Sequence, residues 1–127
     1  MCNMEDIVSY TTSFNRDLRK LNSNQYQQVI YVLIITDESA NKYYDTFVKI
    51  GTTSICCLEK RMTAHSKSFD RIQYYKLYEI ENAQVERDFH KYMLKNHREM
   101  VVTVPEKKEI YNFNSIPVLE EFLRALE

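Results

Sequence analysis

Glycine is nearly absent from this chain: Gly51 is the only one in 127 residues, and there are only two prolines. Flexible linkers and proline-rich spacers are therefore excluded, and no low-complexity stretch or internal repeat breaks the sequence. Cysteine is sparse too, with Cys2 and the adjacent pair Cys56-Cys57. An odd count without CxxC spacing excludes a disulfide framework and a structural zinc site, and it fits a reducing, intracellular compartment. No apolar run approaches the roughly 20 residues of a membrane helix, so no membrane partner is expected. Glu5, Asp6 and Asp17 interrupt the first twenty residues, which is not the pattern of a signal peptide.

What is present suits one packed domain. Apolar residues make up 44% and charged residues 28%, close to the globular average. Ten of the sixteen aromatics are tyrosines, which can fill the edge of a core while keeping the hydroxyl wet. A net charge of −1 conceals a division: residues 42–76 hold seven basic and three acidic groups, among them Lys49, Lys60, Arg61, Lys67 and Arg71. A phosphate-facing surface has this character, as does an ordinary solvated face.

Periodicity orders the elements. Ile7, Tyr10, Phe14, Leu18 and Leu21 recur at steps of three or four, so residues 1–24 are expected to hold an amphipathic helix. Residues 25–127 then form the main domain. The apolar, β-branched run Val29 to Ile35 predicts a central strand covered on both faces, and Tyr44 to Ile50 predicts an antiparallel partner. Ser54 is a candidate cap for a helix carrying Ile55, Leu58 and Met62. A third strand is expected over Ile72 to Ile80, then a helix capped by Asn82 with Val85, Phe89 and Tyr92 inward. Short extended pieces follow around Pro105, and Pro117 sits in the first turn of a last helix. The expected fold is α+β: a small, mostly antiparallel three-stranded sheet flanked by helices.

Two constellations can carry chemistry. Gly51 falls between a strand and a helix, where a lone glycine serves a tight turn or the close approach of a ligand. Ten residues on comes Arg61, and four further His65, so both project from one side of a helix. A guanidinium suits phosphate oxygens, and an imidazole can orient or protonate a phosphate ester. Glu86 and His90 are likewise one turn apart. A carboxylate there can hold Mg²⁺ (or Mn²⁺), whereas by itself Glu86 reads as a surface acid and His90 as a boundary histidine beside Phe89.

Taken in order, Val29-Ile30-Tyr31, Lys49-Ile50-Gly51, Glu59-Lys60-Arg61 with His65, and Glu86 in a later helix resemble the GIY-YIG nuclease superfamily. They are most similar to its phage and large-DNA-virus subgroup with KIG in place of YIG. The resemblance spans about residues 28–113. It implies a metal-dependent endonuclease acting on nucleic acid, DNA foremost, inside a cell (host cytoplasm or nucleus if viral). Tyr31, Lys49, Arg61 and His65 would be catalytic, and Glu86 the metal carboxylate. Gly51, Lys60 and Lys67 would face the substrate, with His90 as a further candidate. Val29 replaces the first glycine of GIY and Lys49 the tyrosine of YIG. A buried lysine beside Arg61 would be easier to deprotonate, so Lys49 can help activate Tyr31 or water, or simply contact phosphate. The alternative is a degenerate domain that binds nucleic acid or a protein partner without cutting. A third reading is a scaffold in which residues 1–24 dock a partner or a second copy.

Overall fold

A computed structural model describes residues 26–37, 46–69, 71–104 and 109–126. The amphipathic helix expected over residues 1–24 lies outside the described residues. Within them the order is β1 (Gln28–Thr36), β2 (Thr46–Ser54), α1 (Ile55–Ser68), β3 (Arg71–Ile80), α2 (Gln84–Asn96), a 3₁₀ turn (Arg98–Met100), β4 (Ile110–Tyr111) and α3 (Ser115–Ala125). No helix among the described residues is long and apolar enough to cross a membrane.

The sheet is antiparallel throughout, in the order β3-β1-β2-β4. The continuous apolar run places β1 at its centre. Val29, Leu33 and Ile35 point to one side with α1, while Ile30 and Val32 point to the other with α2 and α3. Each side is thereby closed by a helical layer, which is why β1 shows no polar alternation. Ile55, Leu58 and Met62 of α1 seal the first face. Phe89 and Met93 of α2, with Ile116 and Leu119 of α3, seal the second. Phe89 packs edge-on against Tyr111 and Phe122 with ring centroids 5.9 and 5.5 Å apart.

A bulge lets β3 serve both faces. Its pairing with β1 shifts between Val32 and Leu33, which leaves Tyr75 without a register partner. Ile72 and Tyr74 therefore join the core beneath α1, whereas Ile80 joins the opposite one. Strict alternation would have put all three on one side; the extra residue reverses the pleat.

The sheet has four strands rather than the expected three. Ile110 and Tyr111 pair with Lys49 and Val48 at the outer edge of β2. Two residues are too few for an alternating pattern, so this strand arises from tertiary pairing alone. Its other side is held by Val102 N–H donating to the Ile110 carbonyl at 2.9 Å and Asn112 N–H to the Met100 carbonyl at 2.9 Å. Side-chain amides also stop the connecting turns. Asn82 Oδ1 accepts from Gln84 N–H at 2.9 Å at the start of α2, and Asn112 Oδ1 accepts from Asn114 N–H at 3.0 Å before α3. Ser54 precedes α1 as expected, but its hydroxyl makes no cap; it contacts Cys56 Sγ at 3.2 Å instead.

Candidate functional site at the edge of the sheet

Gly51 is not at a strand end. It lies inside β2, directly opposite Tyr31 of β1, and its φ is not positive. The expected tight turn is thus replaced by a close approach, and the approaching group is Tyr31. A Cβ at position 51 would lie 2.3 Å from Tyr31 Oη and 2.5 Å from Cζ. The tyrosine ring therefore lies across the glycine, which is possible only where a side chain is missing.

That placement carries the Tyr31 hydroxyl under α1. Because α1 begins at the residue after β2 ends, no loop separates the strand from the helix that covers it. His65, half-buried on α1, meets Tyr31 Oη through Nε2 at 2.8 Å. Arg61 stands one turn earlier on the same side. It is exposed, and no hydrogen bond or ion pair engages it among the described residues. Burial pushes the Tyr31 hydroxyl well above its ordinary pKa; Arg61 opposes this, and Glu109 and Glu86 add to it.

Lys49 lies two residues before Gly51 and so shares its face of β2. Its side chain is largely buried and donates to Glu109 Oε2 at 3.2 Å. Burial lowers the Lys49 pKa and Arg61 lowers it further, while Glu109 and Glu86 act in the opposite direction. Lys49 therefore gives up its proton more readily than a surface lysine.

Glu86 and His90 come from α2, beneath the opposite face. Glu86 is not a surface acid, being only 6% exposed. A first-turn helix position favours its negative charge. Its Oε1 lies 2.8 Å from His90 Nε2, and the other imidazole nitrogen, Nδ1, is hydrogen-bonded to the Tyr111 hydroxyl. Burial alone would raise the Glu86 pKa, but His90, Glu109 and Lys49 more than offset it and hold the carboxyl below its ordinary range. The Tyr111 hydroxyl is pushed up by burial, then by Glu109 and Glu86.

Glu109 joins the two halves and was not singled out by sequence reasoning; nor was Tyr111. One oxygen of Glu109 meets Lys49, and the other lies 3.7 Å from His90 Nε2. Its backbone adopts φ 64°, the only positive value among described non-glycine residues. Such a conformation costs on the order of 1–3 kcal/mol and persists where surroundings impose it. Here the Glu109 carbonyl accepts from Ile50 N–H at 3.1 Å, fixing the turn at the edge of β2. No periodic signal marks this residue, which follows two lysines and precedes a two-residue strand.

Tyr31, Gly51 and His65 thus meet beneath α1 with Arg61 one turn away, and Lys49, Glu86 and His90 meet around Glu109 at the edge of β2. Lys60 and Lys67 are not among them. At roughly 100° per residue they fall on the outer side of α1, away from Leu58 and Met62, and both are exposed.

A four-stranded antiparallel α+β sheet flanked by helices is compatible with a small nuclease-like fold. The chain belongs to the T5orf172 domain family, which matches residues 28–127. That family is a phage-associated group of the GIY-YIG-like nuclease clan, and membership supports a nuclease-like or DNA-binding role. No curated protein and no solved structure matches the chain.

Proposed function

We propose that this protein is a divalent-cation-dependent phosphodiesterase acting on nucleic acid, DNA foremost, with Lys49-Ile50-Gly51 in place of the second GIY-YIG motif. One observation carries the reading. Tyr31 of β1 meets His65 of α1, and Lys49 of β2 meets Glu109, whose other oxygen approaches His90 beside Glu86 of α2. Titratable groups converging from several elements are candidates for a catalytic centre.

The residues fit roles in phosphoryl transfer. Arg61 presents an exposed guanidinium to non-bridging phosphate oxygens. The Tyr31 hydroxyl lies beneath α1 with His65 placed to take or return its proton, and Arg61 favours the loss. Gly51 lets the Tyr31 ring lie flat, and Lys60 and Lys67 extend the basic surface along the outer side of α1. Glu86 suits a dication because it is buried and ionised, with a second carboxylate, Glu109, beside it. A cation bound there, Mg²⁺ or Mn²⁺, would supply charge to stabilise a leaving oxygen.

Nicking of supercoiled plasmid with Mg²⁺ or Mn²⁺ is the direct test. Glu86→Gln should lower cleavage on the order of 10²-fold or more, the scale of one lost electrostatic stabiliser, while binding in a gel shift survives. Arg61→Ala should lose cleavage and some affinity together. Equal cleavage by wild type and Glu86→Gln would mean that Glu86 is not the metal carboxylate.

A second reading is favoured by the way Lys49 pairs with Glu109 and Glu86 with His90, since these groups partner one another without a ligand. It is a domain that binds nucleic acid without cutting. A salt-dependent gel shift with no nicking under any divalent cation would establish it in place of the first.

A further inference from the structure

We propose that Glu86, His90 and Glu109 form a mixed nitrogen–oxygen cation site that takes a first-row transition dication of the Mn²⁺ kind in preference to Mg²⁺, with Tyr111 positioning the imidazole. The proposal rests on the reading that a cation works at Glu86. It adds two ligands and a choice of ion.

The donor atoms of the three residues all lie within 4.8 Å of one another. They come from separate parts of the chain: Glu86 and His90 are one turn apart on α2, and Glu109 is at the entry to β4. The imidazole is already fixed. Nδ1 is engaged by Tyr111, whose ring lies parallel to that of His90 within 2°. Nε2 therefore faces inward. It is fully buried and makes no directed hydrogen bond, although Glu86 Oε1 lies 2.8 Å away.

This geometry offers a cation three ligand atoms. In the tautomer with Nδ1 donating to Tyr111, the Nε2 lone pair and two carboxylate oxygens converge, and a cation among the three is attracted by each of them. The two oxygens of Glu109 divide the work: Oε2 accepts from Lys49, leaving Oε1 turned toward His90. Lys49 thus orients the second carboxylate without occupying it.

The donor set selects the ion. Mg²⁺ prefers an octahedron of oxygens and keeps several waters, so an inward imidazole nitrogen contributes little to it. First-row transition dications accept imidazole readily. A hydrogen bond donated by Nδ1 to the Tyr111 oxygen is the kind of outer contact that fixes tautomer and ring orientation at metal-bound histidines.

Metal binding by the full chain can be read without any nucleic acid, by electron paramagnetic resonance of free Mn²⁺ during titration and by displacement with Mg²⁺. Wild type should bind one Mn²⁺ per chain, and displacement should need Mg²⁺ at least about tenfold in excess of parity. His90→Gln should weaken Mn²⁺ on the order of 10- to 100-fold and leave Mg²⁺ within about threefold, so the preference collapses. Tyr111→Phe should weaken Mn²⁺ by about tenfold. Glu109→Gln should weaken both ions; Glu109 is about a third exposed, so this variant keeps the test valid if a buried substitution fails to fold. Circular dichroism checks the fold of each. Unchanged Mn²⁺ affinity in both His90→Gln and Glu109→Gln would overturn the proposal. A wild type that holds Mg²⁺ as tightly as Mn²⁺ would overturn the ion preference while leaving the phosphodiesterase reading intact. Absence of both divalent binding and cleavage would sink the two together.

Discussion

The two faces of the sheet hold their polar groups in opposite ways. Beneath α1, Tyr31 and His65 form a hydrogen-bonded pair, placed over a glycine inside an otherwise apolar cluster. Beneath α2, Glu86 and His90 meet as an acid and a base, with Tyr111 behind them. A buried charge is tolerable only when paired, and the partners on the α2 side are near the rim, where β4 is short. Lys49 and Glu109 close the gap around that rim. A site drawing on both faces has to sit at an edge, and a two-residue edge strand leaves the room for it.

The largest effects that sharpen this contrast come from the two cores. Phe89→Ala should cost about 3–5 kcal/mol and Leu58→Ala about 2–5 kcal/mol in urea denaturation, since both side chains are fully buried. Phe89→Ala should also disturb His90, its neighbour in sequence and in ring contact at 5.7 Å. Leu58→Ala should instead disturb Arg61 and His65. Equal damage to both halves from either variant would erase the distinction between the faces.

A smaller effect is expected at Gly51. The added methyl of Gly51→Ala must displace the Tyr31 ring, and overpacking of this kind costs about 1–3 kcal/mol. In a double-mutant cycle with Tyr31→Ala, the combined loss should be less than the sum of the two. Additive losses would mean that the ring does not need the glycine.

The smallest effect is in acid. The folded-state pKa of Glu86 lies below its ordinary value, so its ionised form stabilises the fold at pH above that value, about 4.5. The contribution is lost as the pH falls through the folded-state value. The stability gap between wild type and Glu86→Gln should therefore be constant near neutrality and narrow below about pH 4.5 in paired urea titrations. A gap that widens in acid would reverse the sign of the shift.

Much of this was legible in the sequence because it is local. The apolar run of β1, the stripe of α1 and the one-turn spacings of Arg61 with His65 and Glu86 with His90 are all carried by neighbours in the chain. Membership of the T5orf172 family agrees with the nuclease-like reading those residues gave. Glu109, Tyr111 and β4 were not legible, since their roles depend on pairing with residues about sixty positions earlier. Lys60 and Lys67 were legible as charges, but which side of α1 they occupy depends on which face the helix buries. The purpose of Gly51 was misread for the same reason: a close approach by Tyr31 is visible only once β1 and β2 are in register.

That register has a further consequence. β1 and β2 pair over nine residues, and along so regular a hairpin a slip by two positions would keep every side chain on its own face. Such a slip would set Lys49 or Thr53 opposite Tyr31 in place of Gly51. Either residue brings a Cβ into the space the ring must cross. With one glycine in the chain, a single alignment of the hairpin admits that ring. The pair therefore acts as a lock and key for folding, and it is the ring of Tyr31, not its hydroxyl, that reads the alignment.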